Sequence, residues 1–147
     1  MSGVERRRIF VGREMLPLEE LREHETINYA RLAELMDEIV STGMLDKPIV
    51  VDINTKTIID GHHRYNVFRN LGFAEIPVIY VDYFHPSIVL HSLKQVTKED
   101  VIRTASTGRK FPSKTTRHML AKGHKLVHIS DPVKNVNYPV LIGQMVE

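Results

Sequence analysis

The stretch Thr57-Ile58-Ile59-Asp60-Gly61-His62-His63-Arg64-Tyr65-Asn66-Val67-Phe68 contains a change of period, and that change decides the fold. Thr57-Ile58-Ile59 is a short β-branched run suited to a strand. Past Gly61 the spacing turns helical: Tyr65, Phe68 and Leu71, with Val67 alongside, form one apolar face, and Gly72 offers a stop. Working outward, Pro48 opens a second β-branched stretch, Ile49-Val50-Val51-Asp52-Ile53. Asn54-Thr55-Lys56 can turn the chain back, giving a hairpin that ends at Asp60. Ile76-Pro77-Val78-Ile79-Tyr80-Val81 reads as another strand. The central third is therefore strand, turn, strand, loop, helix, strand.

Further out, Leu32, Leu35, Met36, Ile39 and Val40 recur at helical spacing, which predicts a helix from about Tyr29 to Thr42 stopped by Gly43. Thr97 with Asp100 resembles a capping box, so a helix is expected from Lys98 to about Thr107. Phe111-Pro112-Ser113 breaks regular structure. Thr115 to Lys122 reads as a short helix stopped by Gly123, and Leu126 to Ile129 and Val140 to Ile142 as short strands.

The whole chain of 147 residues, 42% apolar, has room for about one ordinary domain. Its formal charge of +2 is too near neutral to imply a nucleic-acid partner. The absence of cysteine removes disulfides, thiolate metal sites and thiol redox chemistry. No apolar signal segment follows the start and no run approaches a membrane span, so a soluble cytoplasmic protein is expected.

Three constellations carry possible chemistry. Asp60-Gly61-His62-His63-Arg64 lies between a strand end and a helix start, where backbone N–H groups and the helix dipole favour an anion. Gly61 permits close backbone approach, and His63 and Arg64 can donate to phosphate oxygens, Arg64 bidentately. A helix cap, surface histidines and an ordinary ion pair account for the same residue types. Glu23-His24-Glu25-Thr26, taken alone, reads as a solvated, N-capping segment before the first helix. Phe111-Pro112-Ser113-Lys114-Thr115-Thr116-Arg117-His118 suits a phosphate or carboxylate, or simply a polar loop with a helix cap. Among the eight histidines, His124 and His128 stand four apart, but their segment does not read as a helix and no His-Glu-x-x-His pattern supports zinc.

The order of features over about residues 14 to 83 resembles the ParB/sulfiredoxin superfamily: a short strand near Leu16-Pro17-Leu18, the helix ending at Gly43, Pro48-Ile49-Val50-Val51, the Ile59-to-Arg64 loop, and Leu71-Gly72 before Ile76-Pro77-Val78. Sulfiredoxins carry a cysteine in the equivalent loop, where this chain has His62, so their chemistry is excluded. ParB partition proteins usually continue into a helix-turn-helix, for which too few residues follow Tyr83. The three constellations together resemble the free serine kinases of this superfamily. Those proteins combine a His-Glu dipeptide, an Asp-Gly-x-His-Arg loop and, in the archaeal branch, a Lys-Thr-Thr-x-His segment, and they are longer than this chain.

The resemblance implies an α+β fold of ParB/sulfiredoxin type, a small mixed sheet flanked by helices in a single domain over residues 1–147. Residues 1–8 would be a flexible basic tail, 14–83 the core and 84–147 the part that completes the substrate site. It implies transfer of a phosphoryl group from ADP or ATP, with Mg²⁺, to the hydroxyl of free L-serine. Glu25 would be the general base and Asp60 would orient the loop or a Mg²⁺ ion. Gly61, His62, His63 and Arg64 would hold the nucleotide phosphates. Thr116 and His118, supported by Lys114, Thr115 and Arg117, would bind the product phosphate or the serine carboxylate. The metal ligands stay unknown, and no nucleic acid or membrane partner is expected. The alternative is a ParB-like module that binds nucleotide or DNA without turnover, which keeps the loop and does not need Glu25.

Overall fold

Val50 and Val51 project to opposite sides of one strand and both are fully buried, so the sheet that holds them is covered on both faces. In the computed structural model, which describes residues 8–92, 94–134 and 138–140, that strand is β3 (Ile49–Asp52). It belongs to a four-stranded sheet with β1 (Phe10–Pro17), β4 (Ile58–Asp60) and β5 (Glu75–Val81), ordered β1-β5-β3-β4. β3 runs parallel to β5, while β1 on β5 and β4 on β3 are antiparallel. A parallel pair needs a crossover. Here β4 and helix α2 (His62–Asn70) supply it.

The alternation of side chains divides the core. Ile49, Val51, Ile58, Ile76, Val78 and Tyr80 pack with Tyr65, Val67 and Phe68 of α2 and with Leu32, Leu35 and Ile39 of helix α1 (Tyr29–Thr42). Val50, Ile59, Ile79 and Val81 face the other way, onto Tyr83, Ile88, Val101, Leu120 and Ile129. Each fully buried aliphatic side chain is worth ~1.5–3 kcal/mol, so the sheet is pinned from both sides. α1 matches its expected span. The Asn28 side chain accepts from the Arg31 N–H at its start, and Gly43, left-handed at φ 66°, donates its N–H to the Ile39 carbonyl at its end.

The second face is built by an antiparallel sheet, β6 (Ile88–Ser92), β7 (Thr116–Lys122) and β8 (Lys125–His128), together with helix α3 (Lys98–Ser106). The helix expected over Thr115 to Lys122 is therefore a strand. Met119, Leu120 and Ala121 favour helices locally, but β7 is the middle strand of three, and Leu120 reaches the second core only as a strand residue. Gly123 is not a helix stop but the first of two loop residues in the β7–β8 hairpin, at φ 62°. β2 (Met44–Leu45) pairs with β9 (Tyr138–Pro139). Of the strand expected at Val140 to Ile142, only Val140 lies among the described residues, and the expected tail lies outside them up to residue 7. Among the described residues beyond Tyr83 there is one α-helix and hence no helix-turn-helix, and no described helix is long and apolar enough to cross a membrane. The architecture is α+β, with mixed sheets flanked by three α-helices among the described residues.

Candidate active site

The switch from β4 to α2 creates a tight backbone step. Gly61 sits at φ 113°, and a Cβ placed there would meet Ile49 Cγ2 at 2.5 Å. Only glycine lets the loop press onto β3 in this way. Among the described residues no side chain caps the start of α2, so the first-turn N–H groups retain donor capacity. Asp60 accepts from Arg64 Nη2 at 2.9 Å and from the Ser130 hydroxyl, and His128 Nε2 stands 3.6 Å from its other oxygen. Burial pushes the Asp60 carboxyl up, but Arg64, His128, Ser130 and Lys47 together outweigh it and hold the group down to about 2, so it stays ionised. Arg64 is turned into the protein: its Nη1 donates to the Pro48 carbonyl at 2.5 Å and the Lys47 carbonyl at 3.3 Å. The fork that the sequence offered to a phosphate thus ties the loop to the approach of β3.

His62 and His63 also face inward or sideways. His62 Nε2 accepts from the His24 N–H at 3.0 Å, and His63 Nε2 accepts from the Asn28 N–H at 2.9 Å, joining α2 to the start of α1. His24, His62 and His118 form a buried cluster, with ring centroids 4.5 Å apart for His24–His62 and 5.9 Å for His24–His118. Burial lowers all three, His24 to about 4, His118 to about 3, and His62 well below its usual value, so the cluster is neutral. His118 Nε2 pairs with the hydroxyl of fully buried Tyr83 at 2.8 Å.

Glu25 is fixed by a segment almost ninety residues away. The chain at His24–Thr26 is laced to Phe111, with Phe111 N–H donating to the His24 carbonyl at 2.7 Å and Thr26 N–H to the Phe111 carbonyl at 2.8 Å. The next residues then turn onto the carboxylate. Oε1 accepts from the Lys114 N–H at 3.3 Å, while Oε2 accepts from the Thr116 N–H at 2.7 Å and the Thr116 hydroxyl at 2.5 Å. Lys114 adopts a left-handed φ of 65°, which turns the chain between the Lys114 and Thr116 N–H groups that both reach Glu25, a conformation that L-residues hold at some cost. Burial raises the Glu25 carboxyl above its ordinary value, against the Thr116 and Lys114 hydrogen bonds that lower it and with a push from Asp60.

A cleft of about 620 Å³ gathers these groups. Glu25, Asp60, Gly61, His62, His63, Arg64, Lys114, Thr116, Arg117 and His118 all line it. Thr115 does not: its hydroxyl donates to the Pro112 carbonyl, and it lines a separate depression with Leu90, His91 and Ser92. Three basic residues of the cleft escaped sequence reasoning about the phosphates and substrate: Lys47, Arg31 and His128. Ser130 and Tyr83, which hold Asp60 and His118, escaped as well. The Asp46-Lys47-Pro48 turn carries no local motif, so nothing in the sequence marks Lys47. His124 lies in the β7–β8 turn while His128 ends β8 facing Asp60, so they do not share a helical face. Among the described residues no group of three or more His, Cys, Asp or Glu is placed to hold a metal ion. The side chains present therefore offer Mg²⁺ no protein-only cage.

The chain resembles known proteins in sequence and in fold. Over 80 residues the chain is 36% identical to an ATP-dependent L-serine kinase of Staphylothermus marinus, a match that covers 52% of this chain and 32% of that protein. It is 41% identical over 80 residues to an ATP-dependent L-serine kinase of Desulfurococcus mucosus, covering 52% and 31%. The match thus spans about a third of the length of these relatives. In structure, a free serine kinase in complex with AMP superposes with a TM-score of 0.71 over 93% of both chains, at 15% identity, a likeness of fold. The family model of the ParB N-terminal domain matches residues 7–95, more than half of the chain, and the chain belongs to that family.

Proposed function

We propose that the chain transfers the terminal phosphoryl group of ATP or ADP to the hydroxyl of free L-serine, giving O-phospho-L-serine. The observation that carries this reading is that a buried, hydrogen-bonded carboxylate, Glu25, lines the same cleft as the uncapped start of α2. The names of the matched relatives support the same reaction and make ATP the first donor to test.

Phosphoryl transfer asks a protein chiefly for positioning and charge placement. The nucleotide's terminal phosphate lies against the α2 N–H groups. Serine Oγ attacks its phosphorus, the bond to the bridging oxygen breaks, and the shortened nucleotide leaves. Glu25 takes the Oγ proton. Oε2 already accepts two hydrogen bonds and Oε1 only one, so Oε1 is the oxygen with room for it. Asp60, ionised and braced by Arg64 and Ser130, holds the loop in shape. Mg²⁺ would be carried on the nucleotide phosphates and would neutralise their charge. The serine carboxylate is met by Lys114 and Arg117 at the cleft mouth. On this reading the chain acts in the cytoplasm, where its nucleotide and free serine would be drawn from the same pool.

The test is ³¹P NMR detection of O-phosphoserine from purified protein, Mg²⁺, L-serine and ATP or ADP. Glu25→Gln should lower the rate by about 10²–10⁴ while leaving nucleotide binding intact. Absence of phosphoserine with either nucleotide would sink the kinase. Nucleotide binding without turnover would favour a ParB-like binding module.

A further inference from the structure

The loop that meets the nucleotide supplies almost no free positive charge of its own. Three N–H donors of Arg64 go to Asp60 and to the carbonyls of Lys47 and Pro48, and the side chain is buried. His62 and His63 each spend Nε2 as an acceptor, and both are held toward the neutral form, first by burial. Asp60 meanwhile is a fixed negative charge beside the anion site. A phosphate entering there needs a cation from elsewhere.

Lys47 meets that need. It lines the cleft, is half-buried, and its ammonium has no hydrogen bond or ion pair among the described residues. Arg64 grips its backbone carbonyl, so the residue that completes the loop also fixes the root of the lysine side chain. The other cations in the cleft, Arg31, Lys114 and Arg117, are exposed, where hydration and salt weaken their pull. Burial and the nearby Arg64 charge lower the Lys47 ammonium, against the pull of Asp60, Asp46 and Asp131. An incoming anion relieves that cost, as expected of a cation waiting for its partner.

Building on the kinase reading, we propose that Lys47 is the cation that binds the terminal phosphate of the nucleoside di- or triphosphate, and that Arg64 serves as its strut. An ammonium is a compact point charge and can follow a phosphoryl group as it moves, which a guanidinium locked onto carbonyls cannot.

The experiment is calorimetric titration of AMP, ADP and ATP, with Mg²⁺, into the wild type, Lys47→Met and Lys47→Arg. Methionine keeps the apolar stem, and circular dichroism with a thermal melt confirms that each variant is folded. Losing one charge-assisted contact should weaken ADP and ATP binding by about 10–100-fold in Lys47→Met and AMP binding by less than about 3-fold, with Lys47→Arg recovering part of the loss. ADP and ATP affinities within about 3-fold of wild type would overturn the assignment. So would an equal loss for AMP, which places Lys47 away from the terminal phosphate. A wild type that binds none of the three nucleotides overturns the kinase reading itself and this assignment with it, an outcome distinct from the other two.

Discussion

Gly61 shows how much one residue can decide. Its positive φ and its contact with Ile49 are independent demands. A left-handed conformation costs an L-residue ~1–2 kcal/mol, and a Cβ at 2.5 Å from Ile49 Cγ2 adds overpacking of ~1–3 kcal/mol. Gly61→Ala should therefore lose about 2–5 kcal/mol in urea unfolding, together with nucleotide affinity, because relief comes by lifting the loop off β3. A variant as stable as wild type would mean that Ile49 yields freely. Glu25 is the second deciding residue. In the proposed kinase its raised carboxyl should put the acid limb of kcat/KM above the ordinary glutamate value near 4.3. Thr116→Val removes a hydrogen bond that lowers it and should shift that limb further up, whereas Thr116→Ser should not. An unmoved limb would show that the hydroxyl does not tune the base.

At the scale of elements, α3 and β7 make an instructive pair. α3 announces itself: Thr97 accepts from the Asp100 N–H and Asp100 accepts from the Thr97 N–H, so a local motif specified a local structure. Thr97→Ala should cost about 1 kcal/mol in chemical denaturation, with little effect on the distant cleft. A loss well beyond that would mean the cap also holds the second core. β7 is the opposite case. Its residues carry no strand signal of their own, and they form a strand because β6 and β8 flank them and because Thr116 and His118 must reach Glu25 and Tyr83. Helix propensity differences of a few tenths of a kcal/mol per residue are small beside two ladders of backbone hydrogen bonds and the burial of Leu120.

For the whole molecule, the buried histidines tie stability to pH. Unfolded histidine protonates near 6.5, whereas folded His24 does so at about 4 and His118 at about 3. Below about pH 6.5 the unfolded chain thus binds more protons than the folded one, so stability declines as pH falls toward 4. Asp60 opens a lower window. Its usual value is 3.8 and its folded value about 2, so its contribution is present above about pH 4 and is lost as pH falls toward 2. Urea midpoints measured from about pH 7 to pH 5 should fall steadily, and His118→Gln, whose amide can still pair with the Tyr83 hydroxyl, should flatten that slope. A midpoint constant over this range would contradict the neutral cluster.

α1, α2, α3, the β3–β4 hairpin and β5 were legible in the residues alone, because period, β-branching, caps and glycine stops act over a few residues. So were the chemically capable groups: Glu25, the Asp60-to-Arg64 loop and the Lys114-to-His118 segment. Tertiary structure alone decided how those groups are used. It made 116–122 a strand, turned Arg64 inward onto carbonyls, aimed Thr116 and Lys114 at Glu25, and brought Lys47 into the cleft. The physical reason is separation along the chain. Residue 25 meets residue 116, and residue 60 meets residue 130, only after both cores have formed, so the partners that fix a side chain's protonation and aim are not local to it.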